Sequence, residues 1–144
     1  MIQIGNKHYW LWICIEPVRR SVLGIHISQA RNILALFSFL ESLVSKYGRH
    51  SVYSDGATWY PEVCKILGLK HYLHSSVEKS LIERIMQYFK DRTENFDDYY
   101  PCLKKDNRCN RDHVYNWIEL FVSIYNNTIV TKNNPILTKA MIIS

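Results

Sequence analysis

The chain has 144 residues, of which 47% are hydrophobic, a size and composition that suit one compact domain. Its 18 Lys and Arg residues outnumber the 13 Asp and Glu residues, and the net charge of +5 favours a polyanionic partner. No apolar run of about 18 residues occurs, and the start lacks the pattern of a signal peptide. We therefore expect a cytoplasmic protein with no membrane partner.

The first part of the chain has the residue types of three strands. Residues 2–4 predict a short strand, and residues 5–7, Gly-Asn-Lys, are typical of a turn. Residues 8–15 are aromatic and β-branched, which favours a second strand and hence a hairpin. A turn at Pro17 then leads to a third strand at residues 22–27. Together these segments predict an antiparallel meander.

The period of the apolar residues then changes from two to about 3.6, which predicts a long amphipathic helix. We expect this helix to start near Ser28 or Gln29 and to stop at Gly48. Its apolar face consists of Ile33, Leu34, Phe37, Leu40, Leu43 and Val44.

A short buried strand, an acid and a second helix follow. Residues 52–54 predict the strand, and Asp55 comes directly after it. Thr58 is the candidate N-cap of the second helix, and Gly68 is positioned to end it. Residues 69–73 predict the next strand.

The last third of the chain predicts two more helices. One spans residues 77–93 and carries Glu83 on a polar stripe, and the other spans residues 111–125. The Asn-, Thr- and Lys-rich segment after them has no clear period. We therefore assign residues 1–126 to the domain and residues 127–144 to a loosely ordered tail.

The predicted order of elements gives an α/β domain with a mixed sheet, in which parallel strands follow an antiparallel meander. Ligands of such sheets gather at the carboxyl ends of the parallel strands, where Asp55 lies. A second acid, Glu83, lies on a later helix. Metal-dependent nucleases gather ligands for Mg²⁺ or Mn²⁺ from acids placed in this way. The alternatives are a turn-capping Asp55 and a solvated Glu83.

The four cysteines fall into two groups. Cys14 and Cys64 lie in apolar segments, which favours buried thiols. Cys102 and Cys109, with His113 beyond them, have part of the ligand set of a zinc site, but the spacing is unusual and a fourth ligand is not evident. A disulfide between Cys102 and Cys109 is the alternative, and the sequence leaves both open.

Three segments match the motifs of one family in order. The first is the strand, turn and aromatic strand of residues 2–16. The second is residues 52–61, Val-Tyr-Ser-Asp-Gly-Ala-Thr-Trp-Tyr-Pro. The third is an acid followed by basic residues and a threonine on one helix: Glu83, Lys90, Arg92 and Thr93. With these motifs the chain resembles the RNase H-like catalytic domain of DDE transposases from bacterial and archaeal insertion sequences.

This resemblance implies a function in DNA transposition, through metal-dependent cleavage and transfer of DNA strands. It implies catalytic and metal-binding roles for Asp55 and Glu83, with Mg²⁺ or Mn²⁺ as the cofactor. Lys90 and Arg92 would bind DNA phosphates. The implied partners are the DNA of transposon ends and further transposase subunits in a homo-oligomer.

One departure from the family matters most. By the motif, the first catalytic Asp would fall three residues before Met1, so the first strand of the RNase H-like sheet is truncated. Because two acids cannot fix two metal ions, we expect the chain to be inactive in strand transfer. The alternative function is a non-catalytic basic module that binds DNA or transposase subunits.

Overall fold

A computed structural model describes residues 2–4, 7–99, 111–129 and 139–143 of the chain. Strands and helices alternate in the middle of these ranges. Their bounds in chain order are β1 (Ile2–Ile4), β2 (Lys7–Glu16), β3 (Ser21–Ser28), α1 (Ile33–Tyr47), β4 (Ser51–Ser54), α2 (Trp59–Ile66), β5 (His71–Leu73), α3 (Ser76–Tyr99), α4 (Arg111–Ile129) and β6 (Lys139–Ile143).

The strands form one mixed sheet around β2. Both β1 and β3 pair with β2 antiparallel, which confirms the predicted meander. On the far side of the sheet, β4 pairs parallel with β5 and with β6, and β6 pairs antiparallel with β2. The mixed α/β class predicted from the sequence is therefore confirmed.

Each face of the sheet has its own apolar core. Successive side chains of a strand point to opposite faces, so Leu11, Ile13 and Ile15 pack with α3 and α4. The alternate residues Trp12 and Cys14 pack with α1 and α2. Because helices cover both faces of β2, its residues 9–15 form a continuous apolar run rather than an alternation of polar and apolar residues.

Helix α1 begins later than the sequence predicts. Its N-cap is Asn32, whose Oδ1 accepts the Ala35 N–H at 3.0 Å. Ser28 is still within β3, where its hydroxyl accepts the Trp12 Nε1–H at 2.8 Å and so ties two strands together. The predicted stop is confirmed, because Gly48 has φ +81° and donates to the Val44 carbonyl.

The segment around α2 corrects two further expectations. Thr58 precedes α2 but makes no side-chain capping hydrogen bond. Gly68 follows the helix with φ +69°, as expected of a residue that ends it. Strand β5 starts at His71 rather than at residue 69, because the Leu69 N–H bonds to the Cys64 carbonyl in the loop that leaves α2.

Part of the segment that the sequence analysis assigns to a tail is a strand of the sheet. Residues 139–143 form β6, which inserts between β2 and β4 in the middle of the sheet. Ile142 is opposite Cys14 and has only 1% of its surface exposed. Its sequence, Lys-Ala-Met-Ile-Ile, lacks the alternation of polar and apolar residues by which strands are recognised, and the sequence analysis missed it for this reason.

Ile142 provides a test of this placement. Replacing Ile142 with Ala should lower the free energy of unfolding by about 2–5 kcal/mol, because removal of a buried branched side chain leaves a cavity. Urea unfolding followed by circular dichroism measures the change. Ile124, which is 55% exposed on α4, is the matched control, and Ile124→Ala should cost less than about 0.5 kcal/mol. Equal effects of the two substitutions would contradict the central position of β6.

Candidate functional site

Asp55 lies where the sequence analysis expects it, directly after β4 at the carboxyl end of the parallel pair. Its Oδ1 accepts the Ala57 N–H at 3.1 Å, a local turn interaction. Gly56 has φ +84°, which turns the chain away from the sheet and toward α2. Asp55 therefore makes the contact of a turn-capping residue, the alternative that the sequence analysis gives for it. Its second oxygen, Oδ2, takes no part in this hydrogen bond.

The positively charged side chain of Arg31 lies beside that second oxygen. Nη2 of Arg31 lies 3.8 Å from Oδ2 of Asp55. The Arg31 guanidinium also lies 5.3 Å from the ring centre of Trp10 and 5.4 Å from that of Trp59. Cation–π contacts with two indoles orient the guanidinium. The sequence analysis missed Arg31, because the three segments that carry these side chains are far apart in the chain.

A buried polar pair lies next to Asp55 on the sheet. The Ser54 hydroxyl and Nε2 of His71 are 2.7 Å apart, which joins β4 to β5. Ser54 is fully buried, so its hydroxyl cannot reach a substrate, and the pair is structural. Burial lowers the pKa of His71 below its usual value, while the negative charge of Asp55 acts in the opposite direction.

Glu83 lies on the exposed side of α3, whose buried side consists of Ile82, Ile85 and Phe89. The amphipathic pattern predicted for this helix is therefore present. The side chains of Lys90 and Arg92 lie outside the part of the chain that is described, so their predicted role in DNA binding stays a prediction.

The predicted cysteine site also falls outside the described residues. Residues 100–110, which include Cys102 and Cys109, are among those not described. His113 is exposed near the start of α4. The zinc and disulfide alternatives both stay predictions.

The described residues do not supply the ligands of a two-metal site. Within the four described ranges, no group of three or more His, Cys, Asp or Glu side chains could hold a metal ion. Glu16, the first acid of the sequence, accepts the N–H groups of Val18 and Arg19 and closes the turn after β2.

No family model matches the chain. The uncharacterized protein MJ0017 of Methanocaldococcus jannaschii is 28% identical over 126 residues, which span 87% of this chain and 56% of that protein. The fold is similar to that of a chain in the cryo-electron-microscopy structure of the simian T-cell lymphotropic virus intasome in complex with PP2A regulatory subunit B56 gamma. The TM-score is 0.59 at 17% identity, over 93% of this chain and 46% of the other. The chain thus spans about half the length of each protein that it matches.

None of the helices in the described ranges is both long enough and apolar enough to cross a bilayer.

The proximity of Asp55 to His71 can be measured by titration. Asp55→Asn should lower the pKa of His71 further, because it removes the negative charge that favours the imidazolium. Proton NMR of the imidazole signals gives this pKa. His26 is the internal control, since burial and Arg111 set its lowered pKa, and its value should not change. An unchanged pKa of His71 in this variant would contradict this electrostatic interaction.

Proposed function

We propose that this chain is an RNase H-like domain of the DDE transposase and integrase class that binds DNA and carries an incomplete metal site. The observation that carries the proposal is the position of Asp55, at the carboxyl end of β4 in a mixed sheet. The fold similarity to an intasome chain supports this assignment, because an intasome acts on DNA.

The strand pairing supports the RNase H-like part of the proposal. An antiparallel group, β1, β2 and β3, is followed by strands that run parallel to each other, β6, β4 and β5. Helices cover both faces of the sheet, α1 and α2 on one and α3 and α4 on the other. Ligands of such a layered sheet bind at the carboxyl ends of its parallel strands, and β4 delivers Asp55 there.

In this proposal Asp55 and Glu83 are the two carboxylates of the site, and Mg²⁺ or Mn²⁺ is the cation that such oxygens select. Lys90 and Arg92 contact DNA phosphates, which fixes the duplex without reading its sequence. With two carboxylates the chain binds the cation weakly and cannot fix the geometry of strand transfer. DNA binding is then its principal activity.

A second candidate function is a non-catalytic module that binds DNA or transposase subunits. The incomplete set of acidic ligands within the described ranges favours it, as does the net charge of +5. The two candidates differ in whether Asp55 and Glu83 hold a cation. Metal binding therefore separates them.

Calorimetry with Mn²⁺ makes this test. If Asp55 and Glu83 share the cation, Asp55→Asn and Glu83→Gln should each weaken Mn²⁺ binding by at least about tenfold, which is about 1.4 kcal/mol. Glu62→Gln is the matched control, because Glu62 is an exposed acid at the start of α2, soon after Asp55 in the chain. Its Mn²⁺ affinity should equal that of the wild type. If neither site variant differs from the control, the metal site is refuted and the binding module is favoured.

DNA binding and strand transfer are measured separately. Fluorescence anisotropy with a labelled duplex should show binding that weakens as salt rises, because lysines and arginines release counterions from the phosphates. This binding should persist in EDTA. The same protein should join no DNA ends in Mg²⁺ or Mn²⁺, and efficient joining would contradict the incomplete site. Binding that does not respond to salt would contradict the phosphate contacts.

A further inference from the structure

Strands β1 and β6 share one edge of β2. Strand β3 pairs along β2 from Glu16 to Trp10, so β6, which pairs with the same part of β2, must take the opposite edge. Ile2 of β1 pairs with Tyr9 of β2, and Ser28 of β3 pairs with the adjacent residue, Trp10. Successive residues of a strand are only about 3.3 Å apart, so Ile2 and Ser28 would collide if β1 and β3 lay on the same edge of β2. Strand β1 is therefore on the β6 edge.

On that edge, β6 and β1 follow one another in the same direction, since both run antiparallel to β2. Ile143 is opposite Ile13, and Ile2 is opposite Tyr9. The two ends are thus four strand positions apart, about 13 Å. A segment continuing β1 beyond its amino-terminal end would run directly into the place that β6 occupies.

The other neighbour of β6 is β4, which runs parallel to it, with Met141 aligned with Tyr53. If this alignment is extended by two residues in each chain, Ile143 is level with Asp55, the residue directly after β4. The strand between β2 and β4 therefore determines which residue stands next to Asp55 across the sheet.

We infer that the space between β2 and β4 is a strand-exchange slot, which this chain fills with its own β6. A strand that continues β1 beyond its amino-terminal end and β6 exclude each other from the slot. With β6 inserted, the residue level with Asp55 is Ile143. If the proposed function holds, an acid-bearing strand in the slot instead supplies the third carboxylate.

The connections of the two strands favour displacement of β6. Only residues 5–6 separate β1 from β2 in the sequence, so β1 would hold an added segment at the entrance of the slot. Strand β6 must return from the end of α4 across residues 130–138. The shorter connection costs less closure entropy and gives a higher effective concentration at the slot.

A cross-link tests the insertion of β6. Cys14 and Ile142 are directly opposite, and both are buried in the same cluster. Opposite residues of antiparallel strands are about 4.5–5.5 Å apart between Cα atoms, within the range that a disulfide spans. The variant is Ile142→Cys in a chain whose other thiols are removed by Cys64→Ala, Cys102→Ser and Cys109→Ser. Because Cys14 is buried in the folded protein, the oxidant is added while the variant refolds from urea, when both thiols are still accessible, and an intramolecular disulfide should form in a monomer.

The matched control places the new thiol on the surface. Ile124→Cys in the same background should give no disulfide with Cys14, because Ile124 is exposed on α4. A disulfide-linked dimer from Ile142→Cys would show that β6 comes from a second copy, and no cross-link would show that β6 is not inserted. Either result overturns the inference.

An extended chain tests the exclusion. Six residues, Ile-Val-Ile-Asp-Glu-Thr, are added before Met1 of the Ile142→Cys variant. The yield of the intramolecular cross-link should fall at least about tenfold, because the added strand displaces β6 from the slot. A control extension of six Gly and Ser residues has low strand propensity and should leave the yield unchanged. Equal cross-linking with both extensions overturns the exclusion.

Calorimetry of the same extended chain separates this inference from the proposed function. A lower cross-link yield together with tighter Mn²⁺ binding supports both. A lower yield without tighter Mn²⁺ binding supports the exchange slot and refutes the metal site at Asp55. Changing the added Asp to Ala should abolish the gain in Mn²⁺ affinity but leave the displacement of β6 intact.

Discussion

The burial of β2 on both faces and along both edges is the constraint on which the rest of the structure depends. Trp12, Ile13, Cys14 and Ile15 have no exposed surface, and strands flank this segment on either side. Each apolar layer is built against alternate residues of this one strand. The same burial raises the pKa of the Cys14 thiol well above its usual value, so this cysteine serves packing rather than chemistry.

Elements specified by local pattern were predictable from the sequence. The hairpin of β1 and β2, the helix that ends at Gly48 and the strand before Asp55 each have their signal within about 15 residues. Strand β6 has no such signal. Its place depends on pairing with β2 and β4, which are far away in sequence, and its backbone partners follow from the fold rather than from its own residues.

The candidate site shows the same division. Asp55 was predictable because a strand, an acid and a glycine follow one another directly in the sequence. The surroundings of Asp55 were not, because Arg31, Trp10 and Trp59 come from three separate segments of the chain and meet only in the folded protein. The aromatic residues are common in cores, and nothing in their spacing distinguishes two indoles that flank a guanidinium.

The contact between Arg31 and Asp55 bears on how a divalent cation would bind. The Asp55 side chain is 51% exposed and that of Arg31 is 30% exposed, so water screens the pair at its 3.8 Å separation. Exposed ion pairs are worth at most about 1 kcal/mol, and Arg31 is held mainly by the indoles of Trp10 and Trp59. Such a pair weakens cation binding by less than about tenfold. In the proposed site, the number of carboxylates at the end of β4, rather than the charge of Arg31, would therefore limit metal affinity, and that number would depend on which strand lies beside Asp55.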